Sequence, residues 1–322
     1  MKIFRSLSEV PPDFGPSVLT IGNFDGVHFG HRQILKRVAT LARARGWKPS
    51  VLTFDPHPAR IVAPDRVPKL LTSPEQRAAL MCAEGVEQVL ILPFTQEVAH
   101  LSAEDFARHL LVERLGARAV LVGDNFHFGY RQEGNVHVLE ALGRKLGFET
   151  EDIPVARCRG RVVSSSVIRK AIIEGHAALA ARLLGRPYAI DGTVVHGHGV
   201  GAKQTVPTLN LATAAEVLPA SGVYLTRTTS LDDRRSWNSI TNAGYRPTFS
   251  NTHEFSIETF LLDPLEGETP RRIRVEFLCR VRDERKFDSA EALKAQILKD
   301  ARVAQSYFRR VRAWQRRSAP EA

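Results

Sequence analysis

The stretch Ile21–His31, IGNFDGVHFGH, decides how the first half of this chain is read. It follows an apolar run, Ser17–Gly22 (SVLTIG), with the composition of a buried strand. It precedes Ile34–Ala44, whose apolar residues recur at helical spacing. A strand that turns directly into a helix leaves unpaired backbone N–H groups and the positive end of the helix dipole at the turn, which suits an anion. Gly22, Gly26 and Gly30 allow that turn to be tight and to approach a ligand closely. His28 and His31 are three residues apart, so both rings can leave the same side of the helix start. Two imidazoles there can donate to phosphate oxygens and stabilise charge as a phosphoanhydride breaks. Taken alone, HxxH also fits an ordinary strand-to-helix turn with surface histidines.

Outward from this turn, strand-like and helix-like segments alternate, the pattern of a parallel sheet covered by helices. Ser50–Phe54, Gln88–Leu92 and Ala119–Val122 read as further strands. Pro74–Glu84, Ala103–Leu115 and Val167–Leu184 read as helices, the last ending at a Gly185 cap. Beyond Arg186 and Pro187 the texture changes to short apolar alternations broken by Gly, Pro, Asn and Asp. Gly192–Val195, Gly222–Thr229, Phe255–Leu262 and Ile273–Arg282 read as strands of a small sandwich or barrel. A closing helix is expected, started by Asp288 and Glu291 as a capping pair, with Leu293, Ile297, Ala304, Phe308 and Val311 on its docking face.

Composition bounds the reading. The 322 residues are 43% hydrophobic and 25% charged, enough for a sizeable core and for about two domains. No apolar run approaches the roughly 20 residues of a membrane span, and Met1–Pro11 lacks the apolar core of a leader, so a cytoplasmic protein with no membrane partner is expected. Cys82, Cys158 and Cys279 are too widely spaced for a CxxC pair and are expected to be reduced core thiols. The formal charge of +10 invites a polyanion partner, but its distribution argues otherwise. Residues 185–300 carry equal numbers of acidic and basic side chains, while the last 22 residues hold six Arg against one Glu. We read that excess as the solvated face and tail of an amphipathic helix; no aromatic-interleaved basic platform supports a nucleic-acid partner.

Three later strings join the first: TFDPHP (Thr53–Pro58), VGDNFHFGYRQEGN (Val122–Asn135) and SSSVIR (Ser164–Arg169). In this order they resemble the adenylylating module of the bifunctional bacterial riboflavin kinase/FMN adenylyltransferase family, within the HIGH-type nucleotidyltransferase superfamily. Its HxGH signature appears here as His28, Phe29, Gly30 and His31. The resemblance implies a Rossmann-like α/β domain that transfers AMP from ATP to FMN, giving FAD and diphosphate. It assigns phosphate contacts to His28 and His31, and ATP binding to Gly22, Phe24, Asp25, Gly30, Asn125, Ser164, Ser165, Ser166 and Arg169. The family commonly has Thr where Ser166 stands. Three roles are open to Asp25: orienting a histidine, contacting ribose, or capping the turn.

The second half contains DGTVVHGHGVGAKQTVPTLNL (Asp191–Leu211), GVYL (Gly222–Leu225), NAGYRPTF (Asn242–Phe249) and ETFLLD (Glu258–Asp263). Their order resembles the riboflavin kinase module of the same family, a small β-barrel. The resemblance makes Glu258 the general base, and Thr208 and Asn210 the Mg²⁺ ligands. Lys203 or the stretch from Gly197 to Gly201 can serve the nucleotide phosphates, through a side chain or through backbone N–H groups, beside Thr208 and Asn210. The family loop GRxxGFPTAN reads GAKQTVPTLN here, with Ala202 in place of Arg, Thr205 in place of Gly and Leu209 in place of Ala.

The expected organisation is thus an adenylyltransferase domain over 1–184, a kinase barrel with a C-terminal helix over 185–312, and a basic tail over 313–322. The expected function is riboflavin + ATP to FMN + ADP, then FMN + ATP to FAD + diphosphate, with Mg²⁺ as cofactor. The alternative keeps only FMN adenylylation, with the altered second module binding flavin or acting as scaffold. A homo-oligomer is left open.

Overall fold

A computed structural model describes residues 1–195, 208–247, 253–285 and 287–318. By internal packing the chain divides into two compact units, residues 1–167 and 168–322.

The first unit is built on six strands: β1 (Lys2–Phe4), β2 (Ser17–Ile21), β3 (Lys48–Phe54), β4 (Gln88–Leu92), β5 (Ala117–Gly123) and β6 (Glu149–Ile153). They form one sheet in the order β1-β4-β3-β2-β5-β6 with every pairing parallel. The central strands are apolar on both sides because helices cover both faces. Leu19 and Ile21 of β2 pack with Phe106, Leu110, Leu111 and Leu139, whereas Val18 packs with Val38 and Ala42 of the Phe29–Arg45 helix on the other face. From β2 the chain steps outward through β3 to β4, then returns to place β5 on the opposite side of β2. This reversal opens a crevice beyond the C-terminal ends of β2 and β5, where open α/β sheets bind ligands. A hairpin, β7 (Arg157–Cys158) with β8 (Arg161–Val162), follows the sheet.

The second unit is a closed barrel of β9 (Tyr188–Val195), β10 (Thr208–Ala212), β11 (Gly222–Ser230), β12 (Ser236–Pro247), β13 (His253–Leu261) and β14 (Arg272–Arg282). Around the barrel the order is β10-β13-β12-β11-β14-β9, antiparallel throughout. Closure removes every free sheet edge. Part of the interior is polar. Thr226 hydrogen-bonds Ser239 at 2.8 Å and Thr241 at 2.7 Å, Thr228 meets Ser239 at 2.8 Å, and Thr241 meets Thr259 at 2.9 Å. All five residues are fully buried, so each hydroxyl satisfies another out of reach of water. The closing helix, Ala290–Ser318, lays Ala304 and Phe308 on Val223, Leu225 and Ile240 of the outer wall.

Three expectations are corrected. Val167–Leu184 is two helices, Ser165–Ile173 and Ala177–Leu184, because Gly175 adopts φ +79° and ends the first; Gly185 at φ +74° caps the second. The closing helix begins at Ala290, and its first turn is capped by Ser289, whose hydroxyl accepts from the Ala292 amide at 3.1 Å, in place of Asp288. The cysteines are free, as expected, but none is a core thiol: Cys82 is exposed, and Cys158 and Cys279 are half-buried. Cys82 lies on the Pro74–Ala83 helix, whose inward positions are Arg77, Ala78 and Met81.

Candidate active sites

The turn after β2 carries unusual backbone. Phe24 at φ +49° and Val27 at φ +37° both lie in the left-handed region, which costs a residue with a Cβ roughly 1–2 kcal/mol. A β-branched Val there is a clear outlier. Remote contacts hold the turn. The Asp25 carboxylate, 2% exposed, accepts from the Leu71 amide at 2.9 Å and the Thr72 amide at 3.2 Å, and from the Thr72 hydroxyl at 3.3 Å. The Gly26 amide donates to the Thr72 hydroxyl oxygen at 3.0 Å. The Asn23 carbonyl accepts from Arg77 at 2.6 Å and from Thr53 at 3.3 Å, while its side-chain amide meets His57 at 3.1 Å. Asp25 therefore braces the turn through backbone donors, one of the three roles open to it.

His28 caps the Phe29–Arg45 helix: its Nδ1 accepts from the His31 amide at 3.3 Å. An accepting Nδ1 puts the proton of a neutral ring on Nε2, the atom that can donate outward. The two rings stack at 3.6 Å with 13° between their planes. Phe24, buried, meets His31 edge-on at 5.1 Å, so it backs the histidine. At Gly30 a Cβ would sit 3.1 Å from Ala156 and 3.3 Å from the His28 ring, so a side chain would press on that imidazole.

The third string joins the first directly: Ser165 donates its hydroxyl to the Asp25 carbonyl at 3.0 Å, across 140 residues of sequence. Ser164 accepts from the Val167 amide at 3.4 Å, bracing the start of the Ser165–Ile173 helix. Ser166 is exposed, and Arg169 lies half-buried about one turn further along that helix. Asn125 is exposed in the loop after β5, the other strand bounding the crevice, with its Oδ1 folded back over Gly123.

In the barrel, register does the arranging. Residues directly opposite across antiparallel strands share a face. Asn210 of β10 pairs with Glu258 of β13, and Glu258 with Asn242 of β12, so one row crosses three strands. Thr208, Phe260 and Ile240 form the next row on that face. Along β10, Leu209 and Leu211 are buried, while Thr208 and Ala212 are exposed and Asn210 is half-buried, so Thr208 and Asn210 look outward. Asn242 also donates to the Glu284 carboxylate at 3.2 Å. Gly197, Gly201 and Lys203 lie outside the described residues. Asn23, His57, Thr72, Arg77, Asn242 and Glu284 were not named as site residues by sequence reasoning, although Thr72 bonds Asp25, Arg77 bonds the Asn23 carbonyl beside it, and Asn242, held by Glu284, pairs with Glu258.

Comparison with known proteins agrees in both halves. The FAD synthetase family profile matches residues 11–167, and the riboflavin kinase profile matches residues 184–308. A bifunctional riboflavin kinase/FMN adenylyltransferase from Pseudomonas fluorescens is 38% identical over 307 residues, covering 95% of this chain and 97% of that protein. The protein of the same name from Escherichia coli K12 is 36% identical, covering 96% of this chain and 98% of that one. Among solved structures, a macrolide-efflux protein from Streptococcus pneumoniae superposes with a TM-score of 0.83 at 26% identity, covering 94% of this chain and 98% of that one. No helix among the described residues is long and apolar enough to cross a membrane. With both profiles present and full-length relatives bearing both activities, the reading limited to FMN adenylylation falls away. The chain phosphorylates riboflavin to FMN, adenylylates FMN to FAD with ATP as co-substrate in both steps, and belongs to the bifunctional riboflavin kinase/FMN adenylyltransferase family.

Proposed function

We propose that adenylyl transfer takes place at the Gly22–His31 turn and riboflavin phosphorylation on the outer barrel wall at Glu258. The observation that carries the first assignment is the Ser165–Asp25 hydrogen bond, which draws two separate motifs together at the sheet's crevice. Here the FMN phosphate attacks the α-phosphorus of ATP in line. A new P–O bond forms as the α–β anhydride breaks, and diphosphate leaves. No protein nucleophile is required, so the enzyme contributes alignment and charge stabilisation. His28 donates from Nε2, and His31 and the helix N-terminus face the same phosphates. Gly22 and Gly30 keep the turn open to the nucleotide, Phe24 backs His31, and Ser164, Ser165 and Ser166 supply hydroxyls at the neighbouring helix start. The Asn125 loop borders the nucleotide and flavin.

At the barrel wall, Glu258 takes the proton from the ribityl hydroxyl as its oxygen bonds the γ-phosphorus and ADP leaves. The donor set there fits Mg²⁺: Thr208 and Asn210 offer two hard oxygens on one face, with Asn210 opposite a carboxylate. They would hold the ion, which neutralises charge on the phosphate oxygens. We assign 1–184 to adenylylation, 185–312 to phosphorylation and 313–322 to a basic tail. A cytoplasmic location suits an ATP-consuming enzyme whose three cysteines are all free.

Incubation of the full chain with riboflavin, ATP and Mg²⁺, with chromatographic separation of riboflavin, FMN and FAD, tests both sites. Glu258→Gln is expected to lower FMN formation by about 10²–10⁴-fold, the usual worth of a general base, and still convert supplied FMN to FAD. His28→Ala is expected to phosphorylate riboflavin normally and accumulate FMN. Riboflavin phosphorylation at the normal rate by Glu258→Gln would refute the base assignment.

A further inference from the structure

The Pro74–Ala83 helix turns Arg77, Ala78 and Met81 inward, and of these Arg77 is out of character. Its side chain is 2% exposed, and a buried cation is tolerated only where strong interactions replace its hydration. Burial lowers its proton affinity, opposed by the charges of Asp25, Asp55 and Glu75. Its Nη1 donates to the Asn23 carbonyl at 2.6 Å and reaches the Thr53 hydroxyl at 3.5 Å. Its Nε–H, also buried, has no partner among the described residues. Packing alone would be served better by a Leu or Met at this position, so the residue is explained by what it holds.

Asn23 is the residue immediately before the strained stretch Phe24–Val27, and His28 follows at once. A turn with two non-glycine residues at positive φ persists only where its surroundings over-determine it. Asp25 is fixed by the amides of Leu71 and Thr72, and Asn23 by Arg77, so one short segment, 71–77, grips the turn at two points. Arg77 also touches Thr53, the first residue of the second motif, whose hydroxyl donates to the same Asn23 carbonyl.

We infer that Arg77 is a positioning residue for FMN adenylylation: through the Asn23 carbonyl it holds the turn that presents His28 and the helix N-terminus to the triphosphate. This rests on the reading that the Gly22–His31 turn is the adenylylation site. Arg77 touches no reacting atom in this account, so its loss misaligns the site and leaves substrate binding largely intact. Misplacement by about an ångström can cost about 100-fold in rate.

The test compares Arg77→Met and Arg77→Lys with His28→Ala in the full chain. It measures kcat and KM for ATP and FMN in adenylylation, riboflavin phosphorylation in the same preparations, and thermal unfolding. Arg77→Met is expected to lower adenylylation kcat about 100-fold with both KM values within about threefold. Phosphorylation should be unchanged, and Arg77→Lys, which restores a donor towards Asn23, should regain about tenfold of the lost kcat. If Arg77→Met fails to fold, Arg77→Lys decides: a fall in kcat at unchanged KM and melting temperature supports the inference, and wild-type kcat overturns it. A loss that appears in KM instead of kcat, or that Lys and Met share equally, also overturns it. Should His28→Ala retain adenylylation, the site reading itself fails and this inference with it. Should His28→Ala abolish adenylylation while both Arg77 variants keep wild-type kcat, only the positioning role fails.

Discussion

In the first unit the chemistry-bearing residues sit on loops beyond the C-terminal edge of a parallel sheet; in the second they sit on the outward face of a barrel wall. The loop site depends on backbone that would not hold its own shape, with Phe24 and Val27 at positive φ and Asp25 and Asn23 gripped by residues 46 to 54 positions away. The barrel row needs no such support. Asn210, Glu258 and Asn242 are brought together by strand register, and register is fixed by which face each strand buries. The two sites should therefore fail differently: the first when a distant brace is removed, the second when the interior that sets the register is disturbed.

The largest effect expected from that difference comes from Asp25→Ala. The carboxylate accepts from two backbone amides and a hydroxyl in a buried setting, and each buried donor left unpaired costs about 1–3 kcal/mol. Adenylylation should fall at least tenfold and the first unit should melt earlier, while riboflavin phosphorylation at 25 °C stays within about twofold of wild type. Differential scanning calorimetry with parallel assays of both reactions checks this. Equal loss of both activities would mean that the two sites do not fail independently.

Thr241→Val is the counterpart in the barrel. The Thr241 hydroxyl bridges those of Thr226 and Thr259 at 2.7 and 2.9 Å, and the swap keeps the shape while removing the link between them. Thr226 retains Ser239, so the cost should be smaller, about 1–2 kcal/mol. Phosphorylation should be lost at a lower temperature than in wild type, with adenylylation unaffected; melting curves followed by both assays would show it. A neutral or stabilising effect would mean that an apolar interior sets the register equally well.

How much of this was legible in the sequence follows from the kind of signal each feature leaves. The alternation of apolar runs and helical periods from Ser17 onward marks the α/β unit, because a strand buried on both faces is largely apolar, as β2 is at Val18, Leu19 and Ile21. The glycines and histidines of Ile21–His31 and the serines of Ser164–Ser166 stand out for their residue types. Arg77 does not, since one Arg in PEQRAALM reads as a solvated position; its spacing from Ala78 and Met81 on the buried face was the available clue. The register of Asn210 with Glu258 joins residues 48 positions apart and depends on pairings that no local period records. The break at Gly175 left a mark in the residue itself, yet the apolar spacing continued through it and suggested one helix.

The smallest effect concerns how tightly the barrel's outer wall is covered, read through its one cysteine. Cys279 lies on β14 among the residues packed beneath the closing helix, and burial pushes its thiol up from its ordinary value. Thiolate is the reactive form, so a raised value leaves less of it at a given pH. Cys82 is exposed on a helix of the other unit. Iodoacetamide at pH 8, followed by mass spectrometry of the native protein, should alkylate Cys82 first and Cys279 about tenfold more slowly, with the gap narrowing as pH rises towards 10. Removing the cover should act on one thiol alone. Phe308→Ala, which cuts the closing helix's contact with Val223, Leu225 and Ile240, is expected to speed Cys279 and leave Cys82 unchanged. Equal rates for both cysteines in the wild-type chain would mean that the helix opens readily from the wall. The barrel's outer face would then depend on a mobile cover, and the contrast between a braced loop site and a self-supporting wall would be confined to the strands themselves.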